Sequence, residues 1–243
     1  MHSHDPGAVL LLGFASRRDA FLTRLRQMGF AVLGAESLDA AAGLLRAADP
    51  AIGAVLLPSP LPLREPAQAL RLLVEVSPAP SLRFVVLGEA PEAGERSSLR
   101  QLGPGFVLSE PFTEAELRFV VNHVLYNPTQ GEGRRHARVP TRMVAQITGG
   151  AGEKDVLVYS LSVDGAFLET RRPSQPGTTL DLALPLPSGL LHTEARVLAA
   201  NVPGSAYRRQ TPKGMGVRFD SVTPEQRDRL EQYLEMRARS FQL

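Results

Sequence analysis

The sequence has no cysteine, which removes disulfide frameworks and thiolate chemistry from consideration. It also lacks a long apolar run. The longest stretches, such as Ala8 to Leu12 and Ile52 to Leu57, fall far short of the roughly 20 residues that a helix needs to cross a bilayer. The opening residues, MHSHDPG, carry neither a basic leader with an apolar core nor a small-residue cleavage site. A chain without a signal peptide, resident in the cytoplasm, is therefore expected. Histidine is sparse: of His2, His4, His123, His136 and His192, only His2 and His4 are spaced as metal ligands, and they lie in a tail that reads as solvated. No GxSxG elbow and no P-loop occurs, and no GxGxxG follows a strand-like run. No catalytic residue, metal or cofactor is expected, and the chain does not read as an enzyme. Excess charge is missing too. A net charge of +2 is too small for a protein built to neutralise a phosphate backbone over a broad face, and without a helix-turn-helix or zinc pattern DNA is not an expected partner.

Lysine is nearly absent: of 27 basic residues only Lys154 and Lys213 are lysine. The arginines cluster at Arg134, Arg135, Arg138 and Arg142, at Arg171 and Arg172, and at Arg208 and Arg209. The largest cluster follows directly on Asn127-Pro-Thr-Gln-Gly-Glu-Gly133, a run of helix breakers and small polar residues that reads as a domain boundary. A chain of 243 residues split there gives two units, each able to bury its own core. The expected division is a domain at 7–127, a linker at 128–133 and a second domain at 134–243.

Short apolar runs alternate with helical periodicity through the first domain. Strands are expected at Ala8–Leu12, Phe30–Leu33, Ile52–Leu57, Arg83–Leu87 and Phe106–Leu108, with helices at Arg17–Met28, Leu38–Ala48, Ala67–Val76 and Glu92–Leu102. Thr113 with Glu116 three residues on makes a capping box for a last helix running to about Tyr126. Such βα units stack into a parallel sheet. The order, and the tail Val107-Leu108-Ser109-Glu110-Pro111-Phe112, resemble the response-regulator receiver fold, (βα)5. A working receiver needs carboxylates for Mg²⁺ and an aspartate to accept a phosphoryl group. This sequence has Gly13-Phe14-Ala15 where an acidic pair is expected, Pro58 where the acceptor belongs, and Glu110 in place of lysine. The half is read as a pseudo-receiver. Receivers dimerise or dock partners through their last strand and helix, so the resemblance implies that face for a protein partner or a homodimer.

Beyond the boundary the pattern changes to strands: Met143–Ile147, Val156–Leu161, Ala166–Glu169, Leu180–Leu184, Leu190–Ala200 and Gly216–Phe219, with Gly and Pro between nearly all of them. Six short strands with turn signals suggest a closed or nearly closed β-barrel. Pro224 opens a final helix with Leu230, Tyr233, Leu234 and Arg237 at helical spacing. The expected fold class is thus α/β plus all-β.

Three segments carry a further resemblance. Arg134-Arg135-His136-Ala137-Arg138-Val139-Pro140 resembles the RxxxR motif that opens a PilZ domain. Ser160-Leu-Ser162-Val-Asp-Gly165 resembles its [DN]xSxxG motif, and Gly214-Met-Gly-Val-Arg-Phe219 its last strand. The resemblance implies a six-stranded barrel that binds cyclic di-GMP, with Arg134, Arg138, Ser162 and Gly165 in the ligand-binding roles, Arg135 as a helper, and Ser160 in the motif's first position. The chemistry agrees: two phosphates and two guanines call for cationic forks and planar stacking groups, and arginine is both. Ser160 departs from the motif's Asp or Asn, and its shorter hydroxyl offers guanine no carboxylate or amide edge. The expected function is a cyclic di-GMP-binding signalling effector that couples the second messenger to a protein partner. The alternative is a degenerate PilZ interaction adaptor in motility or polarity that binds no nucleotide.

Overall fold

A computed structural model describes residues 7–61, 65–79, 82–100, 105–125, 136–149, 152–202 and 210–241. The chain falls into two compact units, Met1–Gln130 with Phe241–Leu243, and Gly131–Ser240. The breaker run at 127–133 and the end of the fourth helix expected at 101–102 lie outside the described residues.

In the first unit, β1 (Ala8–Leu12), β2 (Val32–Ala35), β3 (Ile52–Ser59), β4 (Arg83–Gly88) and β5 (Phe106–Ser109) pair in parallel in the order β2-β1-β3-β4-β5. Helices α1 (Arg18–Gln27), α2 (Leu38–Ala47), α3 (Pro66–Val76), α4 (Ala93–Arg100) and α5 (Glu114–Leu125) alternate with them. A strand covered on both faces must be apolar on both, and every residue of β1 is buried. Leu10 and Leu12 pack with Leu45 of α2 and Leu70 and Leu73 of α3, while Val9 and Leu11 pack with Leu25 of α1 and Leu117 and Val121 of α5. This is the doubly wound 2-1-3-4-5 order shared by flavodoxin-like and receiver folds.

The helix ends follow local chemistry. Thr113 Oγ1 accepts from the Glu116 amide at 3.2 Å while the Glu116 carboxylate accepts from the Thr113 amide at 2.8 Å, which is the capping box read from the sequence. At the end of α1 the Gly29 amide bonds Arg26 O and the Phe30 amide bonds Leu25 O, with Gly29 at φ 88°. That is a Schellman closure. It corrects the second strand, expected from Phe30: Phe30 is consumed by the cap, packed with Leu25, and β2 starts at Val32.

In the second unit, β7 (Val144–Gly149), β8 (Gly152–Ser162), β9 (Gly165–Glu169), β10 (Thr179–Leu186), β11 (Gly189–Asn201) and β12 (Gly214–Phe219) form an antiparallel ring. Their order is β8-β7-β10-β11-β12-β9, and the β8–β9 pairing closes it. Strict alternation lays Leu180, Leu182 and Leu184 of β10 and Leu191, Ala195 and Val197 of β11 into one core. Helix α6 (Pro224–Phe241) contributes Leu230 and Leu234 to that core. Its start is fixed by Thr223, whose amide donates to Gln226 Oε1 at 2.9 Å and whose hydroxyl accepts from the Gln226 amide at 3.2 Å. One strand escaped the sequence reading: β6 (Val139–Pro140), which pairs antiparallel with β8.

Among the described residues no helix is long and apolar enough to cross a membrane.

Candidate functional site

The residues of interest meet where β6 lies along the end of β8. Val139 is opposite Leu161 and Pro140 opposite Ser160, so the chain just before β6 runs past Ser162 and the Val163-Asp164 turn. Arg138 is half-buried there, and its Nη1 donates to Ser160 Oγ at 3.3 Å. Just past β6, the Thr141 hydroxyl donates to Val158 O and accepts from the Met143 amide at 3.2 Å, anchoring the crossing.

Ser160 and Ser162 are buried, at 3% and 5% exposure. Ser162 Oγ donates to Gly165 O at 3.0 Å, which fixes the hydroxyl proton inside the turn and leaves its lone pairs as acceptors. Gly165 faces Ser162 across β8–β9 and Arg218 across β9–β12. A Cβ there would sit 2.2 Å from Val217 O and 3.1 Å from Arg218 Cα, and its φ lies outside the left-handed region. Close backbone approach, not a positive φ, is what calls for glycine here, and β12 imposes it. The structure thus brings Arg138, Ser160, Ser162 and Gly165 together. Arg134 and Arg135 lie outside the described residues.

His136 and Arg227, which the sequence reading does not place in the site, both approach Asp164. His136 Nδ1 lies 2.6 Å from Asp164 Oδ2, and Arg227 Nη2 of α6 lies 3.8 Å from Asp164 Oδ1. The available signal is the place of His136 inside the RxxxR-like segment, two residues before Arg138. Nearby, Arg196 Nε at 3.0 Å and, less strongly, Arg218 Nη2 at 3.2 Å hold the Asp220 carboxyl below the usual carboxylate range.

At the carboxyl end of the first unit's sheet, where a receiver performs its chemistry, Phe14 is buried and Pro58 precedes Ser59, the last residue of β3. Arg17 Nη1 bonds Glu110 Oε1 at 3.0 Å, and its guanidinium lies 5.8 Å from the Phe21 ring centroid. Among the described residues, no group of three or more His, Cys, Asp or Glu is placed to hold a metal ion.

A closed six-stranded barrel with an arginine lead-in threaded along its second strand defines a class. Residues 132–236 match the PilZ domain family, and the carboxy-terminal half of this chain is a PilZ domain. Among solved structures, this half is similar to the PilZ domain of YcgR from Escherichia coli, in complex with c-di-GMP, at 20% identity and a TM-score of 0.36, covering 44% of this chain and 93% of that one. It is also similar to the inhibitor of motility from Bacillus subtilis at 23% identity and a TM-score of 0.37, covering 44% of this chain and 52%, about half, of that one. The receiver domain of a sensor histidine kinase from Pseudomonas aeruginosa, with magnesium in its cleft, matches at 20% identity and a TM-score of 0.40, covering 49% of this chain and 98% of that one. These likenesses are distant; the receiver-like fold of the first unit rests on its own strand order. No curated protein matches the chain.

Proposed function

We propose that this protein is a cyclic di-GMP-binding effector whose PilZ domain takes the ligand over Arg138, Ser160 and Ser162, with Arg134 and Arg135 reaching it from the lead-in. The observation that carries the reading is the Arg138 guanidinium, drawn to 3.3 Å from Ser160 at the motif turn of the PilZ barrel. A guanidinium fork suits both a phosphate and the O6/N7 edge of guanine, and the YcgR PilZ domain was solved with this ligand. Gly165 belongs to the site by keeping β9 against β12. Ser160 in place of Asp or Asn forfeits a hydrogen bond of about 0.5–1.5 kcal/mol, or roughly three- to tenfold in affinity, and so weakens binding without removing it.

The domain division proposed is 7–127, 128–133 and 134–243. The first domain works as a pseudo-receiver: with Pro58 at the acceptor position and Glu110 in place of the lysine, it offers no aspartate nucleophile and no lysine for a phosphoryl group, and the nearby Arg17 is paired with Glu110. A fold without its chemistry retains its surface, and that surface couples the ligand signal to a protein partner. One observation favours the ligand-free adaptor instead: Ser160 lacks the motif's acceptor edge and its hydroxyl already accepts from Arg138.

Calorimetric titration with cyclic di-GMP separates the two. Saturable heat is expected from the native chain, and Arg134→Ala and Arg138→Ala should remove it while Asp49→Ala, at an exposed position of the first unit, leaves it intact. No heat at ligand concentrations well above micromolar would leave the adaptor. Equal losses from all three variants would reflect general destabilisation and not site chemistry.

A further inference from the structure

The lead-in is held along β8 by more than its strand. β6 has two residues, and one of them, Pro140, has no amide to donate. So short a ladder fixes register weakly. The paired ladder ends at Val139 opposite Leu161, but counting outward from it brings Arg138 level with Ser162 and His136 level with Asp164 of the turn. At that last position the side chains do meet, with His136 Nδ1 2.6 Å from Asp164 Oδ2. Each of these two side chains is a little over two-fifths exposed, at 43% and 44%, so nothing about packing requires the contact. It is a cross-strand pair beyond the end of the strand, and it spans Arg138.

Helix α6 supports both ends of this segment. Arg227 Nη2 approaches the second oxygen of Asp164 at 3.8 Å. Further along α6, Arg237 donates from Nε at 3.3 Å and from Nη2 at 3.1 Å to the carbonyl of Pro140. The Asp164 backbone is also tied, its carbonyl accepting from the Phe219 amide at 2.9 Å. The carboxylate is therefore presented to His136 from a tied turn.

We propose that Asp164 is a positioning residue of the nucleotide site: by clasping His136 it lays the His136–Arg138 segment along β8 before ligand arrives, with Arg227 steadying its carboxylate. The inference rests on the cyclic di-GMP reading and adds residues that the RxxxR and [DN]xSxxG patterns do not include. A guanidinium held in register loses less freedom when it closes on a phosphate, so pre-organisation appears as affinity.

The test is calorimetric titration of the full chain with cyclic di-GMP, using His136→Ala, Asp164→Ala, the double variant, and His136→Asn, whose amide nitrogen stands close to where Nδ1 was. Each alanine variant should bind about three- to tenfold more weakly, the size of one lost hydrogen bond. The double variant should lose no more than either single one. His136→Asn should recover most of the affinity, and the ligand-free melting temperature of His136→Ala should be unchanged, a combination that a merely structural role does not give. Should Asp164→Ala fail to fold, the His136→Ala and His136→Asn pair decides alone. Native affinity in His136→Ala, or losses that add in the double variant, would overturn the clasp while a binding defect in Arg138→Ala kept the ligand reading in place. An absence of binding by the unmodified chain would overturn both.

Discussion

Gly165 and Ser162 are the residues at which a motif role and a structural role are hardest to separate. The glycine stands where β9 presses on β12, and any Cβ would enter the van der Waals radius of Val217 O. Replacing it with alanine forces two paired strands apart, so we expect Gly165→Ala to cost about 1–3 kcal/mol or more, as overpacking does in a close-packed interior. Urea denaturation followed by circular dichroism measures this. An unchanged midpoint accompanied by lost cyclic di-GMP binding would instead mean that the glycine faces the ligand. The residue types at 138, 160, 162 and 165 were legible from the motif. Their internal bonds were not, because a hydroxyl's partner depends on tertiary register: Ser162 donates to Gly165 O and Ser160 accepts from Arg138. His136 shows the same limit. Its partner is 28 residues away, and only the threading of β6 along β8 brings them together.

Elements with strong periodicity were legible and short ones were not. The central parallel strands β1, β3 and β4 announced themselves as apolar runs because both faces are covered, and the barrel strands did so by alternation between turns. β6 could not, since two residues ending in proline carry no periodic signal, and Phe30 misled because a buried aromatic serves a helix cap as well as a strand. The pseudo-receiver reading proposed for the first unit likewise turns on element ends. β1 runs into Gly13 and the buried Phe14, β3 carries Pro58, and the residue after β5 is Glu110, paired with Arg17. Incubation with labelled acetyl phosphate and Mg²⁺ should therefore leave no label on the chain. Pro58→Asp alone should not restore it, because the acidic pair after β1 and the lysine after β5 would still be missing. Label on the native chain would refute the pseudo-receiver reading.

At the scale of the molecule, two cores that share no strand predict two unfolding events. Each unit has its own buried cluster, one wrapped on both faces of a parallel sheet and one sealed inside a ring. A ligand that binds only the native form of one unit stabilises that unit by mass action, by about 2.7 kcal/mol at a hundredfold excess over Kd. Scanning calorimetry of the full chain should then resolve two transitions, of which cyclic di-GMP raises one by several degrees and leaves the other in place. The transition that moves should be the one that Gly165→Ala lowers, since that substitution strikes only the barrel. Arg138→Ala should abolish the ligand shift without itself moving the first unit's transition. A single transition that ligand and Gly165→Ala displace as a whole would mean that the two units melt as one cooperative body, and the reading of one sensing and one relaying domain would have to be replaced by a single allosteric unit.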